Sequence, residues 1–126
     1  MGKLLTSLRL HLRHMRAATG FSMAGLAAAF RTELAFRQIV YLSAIGIPLA
    51  GLLAESWAEG VLLILPFFLS LIVELLNTAI EKTVDRISEE RHPLARFAKD
   101  AGSAAQFMAQ VFILVTWGSY LLSKWF

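Results

Sequence analysis

Residues 74–103 read ELLNTAIEKTVDRISEERHPLARFAKDAGS. The stretch begins inside one apolar segment and ends at the start of another. Between these segments lie Glu81, Asp85, Glu89 and Glu90, with Glu74 and Asp100 toward the margins. The end of a membrane helix has no structural need for so many carboxylates. Both the fold and the chemistry therefore turn on what frames this stretch.

Composition sets the frame. The chain has 126 residues, room for one domain, 1–126. It is 57% hydrophobic, against about 45–50% in soluble domains. The absence of cysteine excludes a disulfide framework and a thiolate metal site. Upstream of Glu74, Val61–Val73 reads as an apolar run, and Ile39–Ala54 as another of 16 residues. The second is a little short of the roughly 20 residues that cross a bilayer. The polar turns before it, with Thr32, Glu33, Arg37 and Gln38, supply the rest if they sit among headgroups. Downstream, Ala101–Phe126 is a third apolar segment, with Trp117, Tyr120 and Trp125 as an aromatic belt. At the N-terminus, Leu4, Leu8, Leu12 and Met15 recur at spacings of four, four and three, with Arg9, Arg13 and Arg16 on another face. That pattern is a basic amphipathic helix suited to an anionic lipid surface. Gly20 and Gly25 suggest a break after it.

The expected fold is therefore all-α and integral to the membrane. It has a surface helix at about 4–19 and transmembrane helices at about 32–54, 61–86 and 100–125. Lys and Arg concentrate in the N-terminal segment and in the link between the second and third spans. The loop 55–60, ESWAEG, carries two acids and no base. By the positive-inside rule the N-terminus is cytoplasmic and the C-terminus lies outside.

Glu74, Asn77, Glu81 and Asp85 are spaced three, four and four, so on a helix they share one face. With Glu81 at the cytoplasmic interface, Glu74 lies about 10 Å deeper. A carboxylate there costs several kcal/mol unless paired, hydrated or protonated, and intramembrane acids are functional candidates by default. A general base is one role, a structural hydrogen-bond partner of Asn77 or of another helix the other. Asp85 reads equally as an ordinary charge paired with Arg86. Glu33 starts a span from the same side as Glu81. Two such carboxylates suit Mg2+, which takes one or two of them plus phosphate oxygens and water. Alone, Glu33 reads as helix N-terminal charge. Lys99 and Asp100 open the third span. A Lys there opposes the helix dipole, and either phosphate binding or snorkelling to headgroups accounts for it. His92 beside Pro93 reads as a loop residue. There is no G-x-x-x-x-G-K-[ST] run, so a nucleotide site here must use carboxylate-held metal and Lys or Arg.

The run Glu74-Leu-Leu-Asn77-Thr-Ala-Ile-Glu81, followed by Val84-Asp85-Arg86 and by Ala98-Lys99-Asp100-Ala-Gly-Ser103-Ala-Ala, resembles the prokaryotic diacylglycerol kinase family. Ala29-Phe30-Arg-Thr-Glu33-Leu-Ala-Phe36-Arg37-Gln38 resembles that family's first motif. The likeness spans nearly the whole chain. It implies a homotrimeric lipid kinase of the bacterial inner membrane that transfers the γ-phosphate of ATP to the hydroxyl of diacylglycerol, giving phosphatidic acid. It further implies Glu74 as general base, Glu33 and Glu81 as Mg2+ ligands, and Asn77 and Asp85 in support. Glu90, Arg91, His92, Lys99 and Asp100 would contact ATP, with His14 and Phe21 at the N-terminal positions that face the nucleotide. Ala35, Phe36, Arg37, Gln38, Ile39, Ser103 and Trp117 would line the lipid side.

The chain departs from the diacylglycerol branch at Ile39, where an acid is frequent. It shares Ile80-Glu81-Lys82 and His92-Pro93-Leu94-Ala95 with undecaprenol kinases of the same family, an alternative acceptor class. Outside the family, the alternatives are a small oligomeric transporter with Glu74 as its ion site, and a non-catalytic membrane protein. Neither has a use for Glu33, Glu81 and Lys99 at one interface. The partners expected are a lipid, ATP and the membrane, with no nucleic acid.

Overall fold

Every described element of the computed structural model is an α-helix: α1 (Gly2–Thr32), α2 (Leu34–Leu53), α3 (Trp57–Ile87) and α4 (Pro93–Trp125). The structure describes residues 2–87 and 90–125; Met1, Ser88, Glu89 and Phe126 lie outside the described residues. Three of the helices, α2, α3 and α4, are long and apolar enough to cross a membrane. The fold is thus the all-α, three-span architecture that the hydropathy pattern leads one to expect.

The helix ends differ from the expected ones, each for a local reason. α1 runs through Gly20 and Gly25 and extends well past residue 19. A glycine costs a helix interior only about 1 kcal/mol, which a helix of 31 residues absorbs. The chain breaks instead at Glu33, which is extended (φ −104°, ψ 114°), so α2 begins at Leu34 rather than at residue 32. α1 stands as one unit and the residues from Glu33 onward as another.

α3 begins at Trp57, before the expected residue 61, because ESWAEG is a helix start rather than a loop. The Glu59 N–H donates to Ser56 Oγ (3.2 Å), and Glu59 Oε2 accepts the Glu55 N–H (2.9 Å). That is a variant of the Ser-x-x-Glu capping box. α4 begins at Pro93, a full turn and more before residue 100. Proline suits the first helical position, where its missing N–H has no helical partner to lose. His92 caps the same end, its Nδ1 accepting the Leu94 N–H at 3.2 Å. His92 is therefore more than a loop residue.

α3 is the central helix and packs against both α2 and α4. Paired contacts run in opposite chain directions: Lys82 with Glu33 and Phe67 with Gly46 toward α2, Asn77 with Gly102 and Ser70 with Gln106 toward α4. All neighbours are antiparallel, as short links demand. The buried seam of α2 is Phe36, Ile39, Ser43, Gly46 and Ala50, and that of α4 is Gly102, Gln106, Ala109 and Ile113. Spacings of three and four average 3.5 residues, the repeat of helices that cross at a shallow angle. The outward faces keep large apolar side chains exposed, among them Ile45, Leu52, Phe107 and Leu114. Exposure of that kind suits lipid rather than water.

Backbone proximity is set by small residues. The Phe67 ring lies on the Cα of Gly46, where any Cβ would overlap it. The same ring meets Trp117 edge to face at 5.8 Å, and Trp117 Nε1 donates to the Leu63 carbonyl at 3.0 Å. Pro66 lies in this turn of α3, where proline weakens the helical ladder, and the indole donor adds a tie from α4. At the far end, the Tyr120 hydroxyl donates to the Leu53 carbonyl at 2.6 Å, and Lys124 pairs with Glu55 at 2.7 Å.

Gly46→Ala should destabilise the bundle by about 1–3 kcal/mol, the usual cost of overpacking. Gly51→Ala, where a Cβ meets nothing within 4 Å, should leave stability unchanged or raise it. Thermal unfolding in detergent, followed by circular dichroism, separates the two.

Candidate active site

One face of α3 carries Glu74, Asn77, Glu81 and Asp85 on successive turns. Glu74 is buried at 5% exposure. Among the described residues no hydrogen bond and no cation reaches its carboxylate; what it feels are the negative charges of Glu81 and Glu33. The structural role expected as its alternative, a bond to Asn77, is not formed. Asn77 turns the other way, its Nδ2 donating to Glu81 Oε1 at 3.3 Å.

Glu33 joins this group from the start of α2. It makes no side-chain cap on its own helix. Instead it pairs with Lys82 at 3.0 Å, next to Glu81 on α3. The structure thus brings Glu33 and Glu81 to the same level, one to two turns from Glu74.

Asn77 is fixed from the opposite side by α4. Gly102 leaves room for its Oδ1, which a Cβ would overlap. That oxygen is buried and has no hydrogen-bond partner. A buried acceptor left unmade is costly, and here it stands beside the carboxylates.

α3 and α4 are 31 and 33 residues long against 20 for α2. At 1.5 Å per residue α2 is about 30 Å long, the thickness of the hydrocarbon layer. The two longer helices project past its Glu33 end, and a cavity of about 620 Å3 lies there. Asp85, Glu90, Arg91, His92, Lys99 and Asp100 line it, together with Arg96. Lys99 reaches Asp85 at 2.5 Å, and Arg96 lies 3.6 Å from Asp100. These exposed pairs contribute little stability, but they set where the cations stand. Because α4 begins at Pro93, Lys99 is in its second turn rather than its first. The dipole argument for Lys99 accordingly lapses, and its place in the cavity wall is what remains.

The residues expected on the lipid side divide. Ala35, Gln38 and Ile39 line a second cavity of about 310 Å3 between the spans. Phe36 is buried in the α2 seam at 3% exposure, and the Arg37 N–H donates to the Glu33 carbonyl at 3.2 Å. Ser103 is exposed on α4. Trp117 is not brought to the carboxylates. It bonds Leu63, eleven residues from Glu74 and so about 16 Å along α3. His14 and Phe21 lie on α1, a unit described by itself.

Sequence reasoning passed over three features: Lys82 as the partner of Glu33, Arg96 in the basic cavity, and a polar pair in mid-span. In that pair, Gln106 Nε2 donates to Ser70 Oγ at 3.1 Å, with both residues buried. Gln106 and Gln110, four apart in an apolar segment, were the available signal.

Comparison with known proteins gives the lineage. The family described as prokaryotic diacylglycerol kinase matches residues 20–121. The chain belongs to the prokaryotic diacylglycerol kinase family. A diacylglycerol kinase of Pseudomonas aeruginosa is 58% identical over 111 residues, covering 88% of this chain and 90% of the relative. One of Helicobacter pylori is 52% identical over 103 residues, covering 82% and 80%. One of Escherichia coli K12 is 44% identical over 100 residues, covering 79% and 82%.

Membership in the diacylglycerol kinase family implies ATP-dependent phosphotransfer, generally with a metal ion. Among the described residues, no three His, Cys, Asp or Glu stand close enough to hold a metal by themselves. Mg2+ does not require that, because it is held by one or two carboxylates and completes its shell with phosphate and water. Glu33 and Glu81, brought to one level by the Glu33–Lys82 pair, are an oxygen-only pair of that kind. The residues present therefore fit the ion.

Gly102→Ala should displace the Asn77 side chain and break its bond to Glu81. Phosphotransfer should fall at least about tenfold, the effect of roughly 1.4 kcal/mol on a barrier, with helix content unchanged. Gly118→Ala, where a Cβ meets nothing within 4 Å, is the matched control. Steady-state turnover and circular dichroism on the same preparations check both.

Proposed function

We propose that this chain is a diacylglycerol kinase. It transfers the γ-phosphate of ATP to the free hydroxyl of diacylglycerol, at the cytoplasmic face of the bacterial inner membrane. The observation that carries this reading is a buried carboxylate, Glu74, with no partner among the described residues, below two further carboxylates and a basic cavity. Likeness to diacylglycerol kinases, 58% identity over 88% of the chain in one case, supports the choice of acceptor over undecaprenol. It also argues against a transporter, which would leave the basic cavity without a role.

Each phase supplies one substrate. ATP arrives from water and lies in the 620 Å3 cavity, its phosphates against Arg91, Arg96 and Lys99, with Glu90, His92 and Asp100 fixing its remaining parts. Glu33 and Glu81 would hold Mg2+, with Asn77 placed between Glu81 and α4 and Asp85 holding Lys99. The chemistry such an ion would supply there is neutralisation of phosphate charge. The lipid arrives from the hydrocarbon with its hydroxyl toward Glu74, past Ala35, Gln38, Ile39 and Ser103. Phe36 and Arg37 set the position of that wall, and Trp117 fixes α4 to α3 behind it.

As the hydroxyl oxygen bonds to the γ-phosphorus, the bond to the β–γ bridging oxygen breaks. ADP leaves, and the hydroxyl proton passes to the Glu74 carboxylate. Positioning and charge neutralisation account for most of the rate in phosphoryl transfer, so a site of this size suffices. The kinase is a single membrane-embedded domain, 1–126, and works as a homotrimer. Its apolar outer faces serve both lipid and subunit contact.

Detergent-purified protein given Mg-ATP and mixed lipids should form phosphatidic acid; no phosphorylated lipid of any kind would sink this reading. Glu74→Gln should lower turnover by about 10²–10⁴, the range of a general base, while ATP binding by equilibrium dialysis is unchanged. Glu33→Gln and Glu81→Gln should instead raise the Mg2+ concentration for half-maximal rate by about tenfold or more.

A further inference from the structure

Lys82 stands beside the carboxylate group but outside the 620 Å3 cavity, and the transfer step leaves it without a role. It projects from α3 with 67% of its side chain exposed, and its Nζ lies 3.0 Å from Oε1 of Glu33, which is only 22% exposed. It also feels the negative charges of Asp85 and Glu81. The cations of the cavity are committed elsewhere, Lys99 to Asp85 and Arg96 to Asp100. Glu74 feels the negative charges of Glu33 and Glu81, and Lys82 offsets that crowding from one side. A partly exposed pair of this kind adds little stability. What matters is the carboxylate it engages.

Successive residues of an α-helix point about 100° apart, so side chains at i and i+1 do not face each other. Glu81 and Lys82 therefore leave α3 in different directions. A Glu33 carboxylate drawn to Lys82 stands at the level of Glu81 but to one side of it. To share an ion with Glu81, the Glu33 side chain must turn away from Lys82. Its backbone need not move, because the residue is held in an extended conformation with the Arg37 N–H on its carbonyl at 3.2 Å. A side-chain rotation is enough to exchange one cation for the other.

We propose that Lys82 is a resident counter-ion, which holds Glu33 until a divalent cation takes its place and competes with that cation for the carboxylate. A contact that must be broken for an ion to bind opposes the binding by its own worth. A lysine left beside a bound dication repels it as well, so both effects act in one direction. Lys82 is a positioning residue, since it reaches the reaction only through Glu33. The consequence is a carboxylate pair that resists bare divalent ions. This role rests on the reading of Glu33 and Glu81 as the metal ligands of a kinase site, and it adds what those ligands must release.

The probe is manganese(II) alone, added to the intact protein in detergent without nucleotide and followed by the loss of the free-ion electron paramagnetic resonance signal. Lys82→Met should bind the ion about threefold more tightly, the scale of a partly exposed charge pair. Lys82→Arg should restore the affinity of the unmodified protein. Lys124→Met removes the same charge at the Glu55 end of the bundle and should leave the affinity unchanged. Glu33→Gln should lower it, with or without the substitution at Lys82. Unchanged or weaker binding in Lys82→Met, with Glu33→Gln still lowering affinity, overturns the counter-ion and leaves the metal ligands standing. Equal tightening in Lys124→Met also overturns it, because net charge alone is then the cause. Binding that Glu33→Gln does not alter overturns the ligand assignment, and the counter-ion with it.

Discussion

A carboxylate inside a membrane-spanning bundle is the constraint on which the rest of this structure depends. Glu74 lies in the α3 seam at 5% exposure and has no protein counter-charge among the described residues. Hydrocarbon does not tolerate such a group without compensation. The surrounding features reduce that cost from two directions. On the Glu33 side, Lys82, Lys99 and Arg96 bring positive charge to the level where the carboxylates multiply. On the hydrocarbon side, Ser70, Gln106 and Gln110 give mid-span polarity that a purely apolar bundle would lack.

Close helix approach holds these groups in place. Membrane helices gain little from burying apolar surface against each other and rely on contact distance and hydrogen bonds. Gly46 lets the Phe67 ring seat α3 on α2, and Gly102 lets Asn77 stand against α4. Trp117 and Tyr120 then tie α4 to carbonyls of α3 and α2. The far end of the bundle is a clasp, and the Glu33 end is an open, charged cavity. A rigid end and an open end are what a site needs when one substrate comes from lipid and the other from water.

Much of this was legible in the residues. Three spans follow from hydropathy, and the ladder from Glu74 to Asp85 follows from spacing alone. The resemblance to the family was carried by the same ladder, E-x-x-N-x-x-x-E-x-x-x-D. Helix ends were less legible, because capping decides them. Pro93 reads as a stop in sequence but serves as a first turn once His92 caps it, which moves Lys99 away from the helix end. Gly20 and Gly25 read as a break, yet α1 continues to Thr32. Ser70 was hidden inside an otherwise apolar run, and its meaning appears only when Gln106 is seen opposite. Pairings across helices, such as Glu33 with Lys82, depend on register, which no single segment encodes.

The central claim is that two substrates meet at graded depth, nucleotide in the cavity of residues 84–100 and lipid beside Glu74. Photolabelling with an azido-ATP, followed by peptide mass spectrometry, tests it most directly. The account predicts adducts on the 84–100 segment that unlabelled Mg-ATP suppresses, and none on the apolar part of α4 beyond Ser103. Competable adducts confined to the Glu55–Glu59 end of the bundle would contradict it.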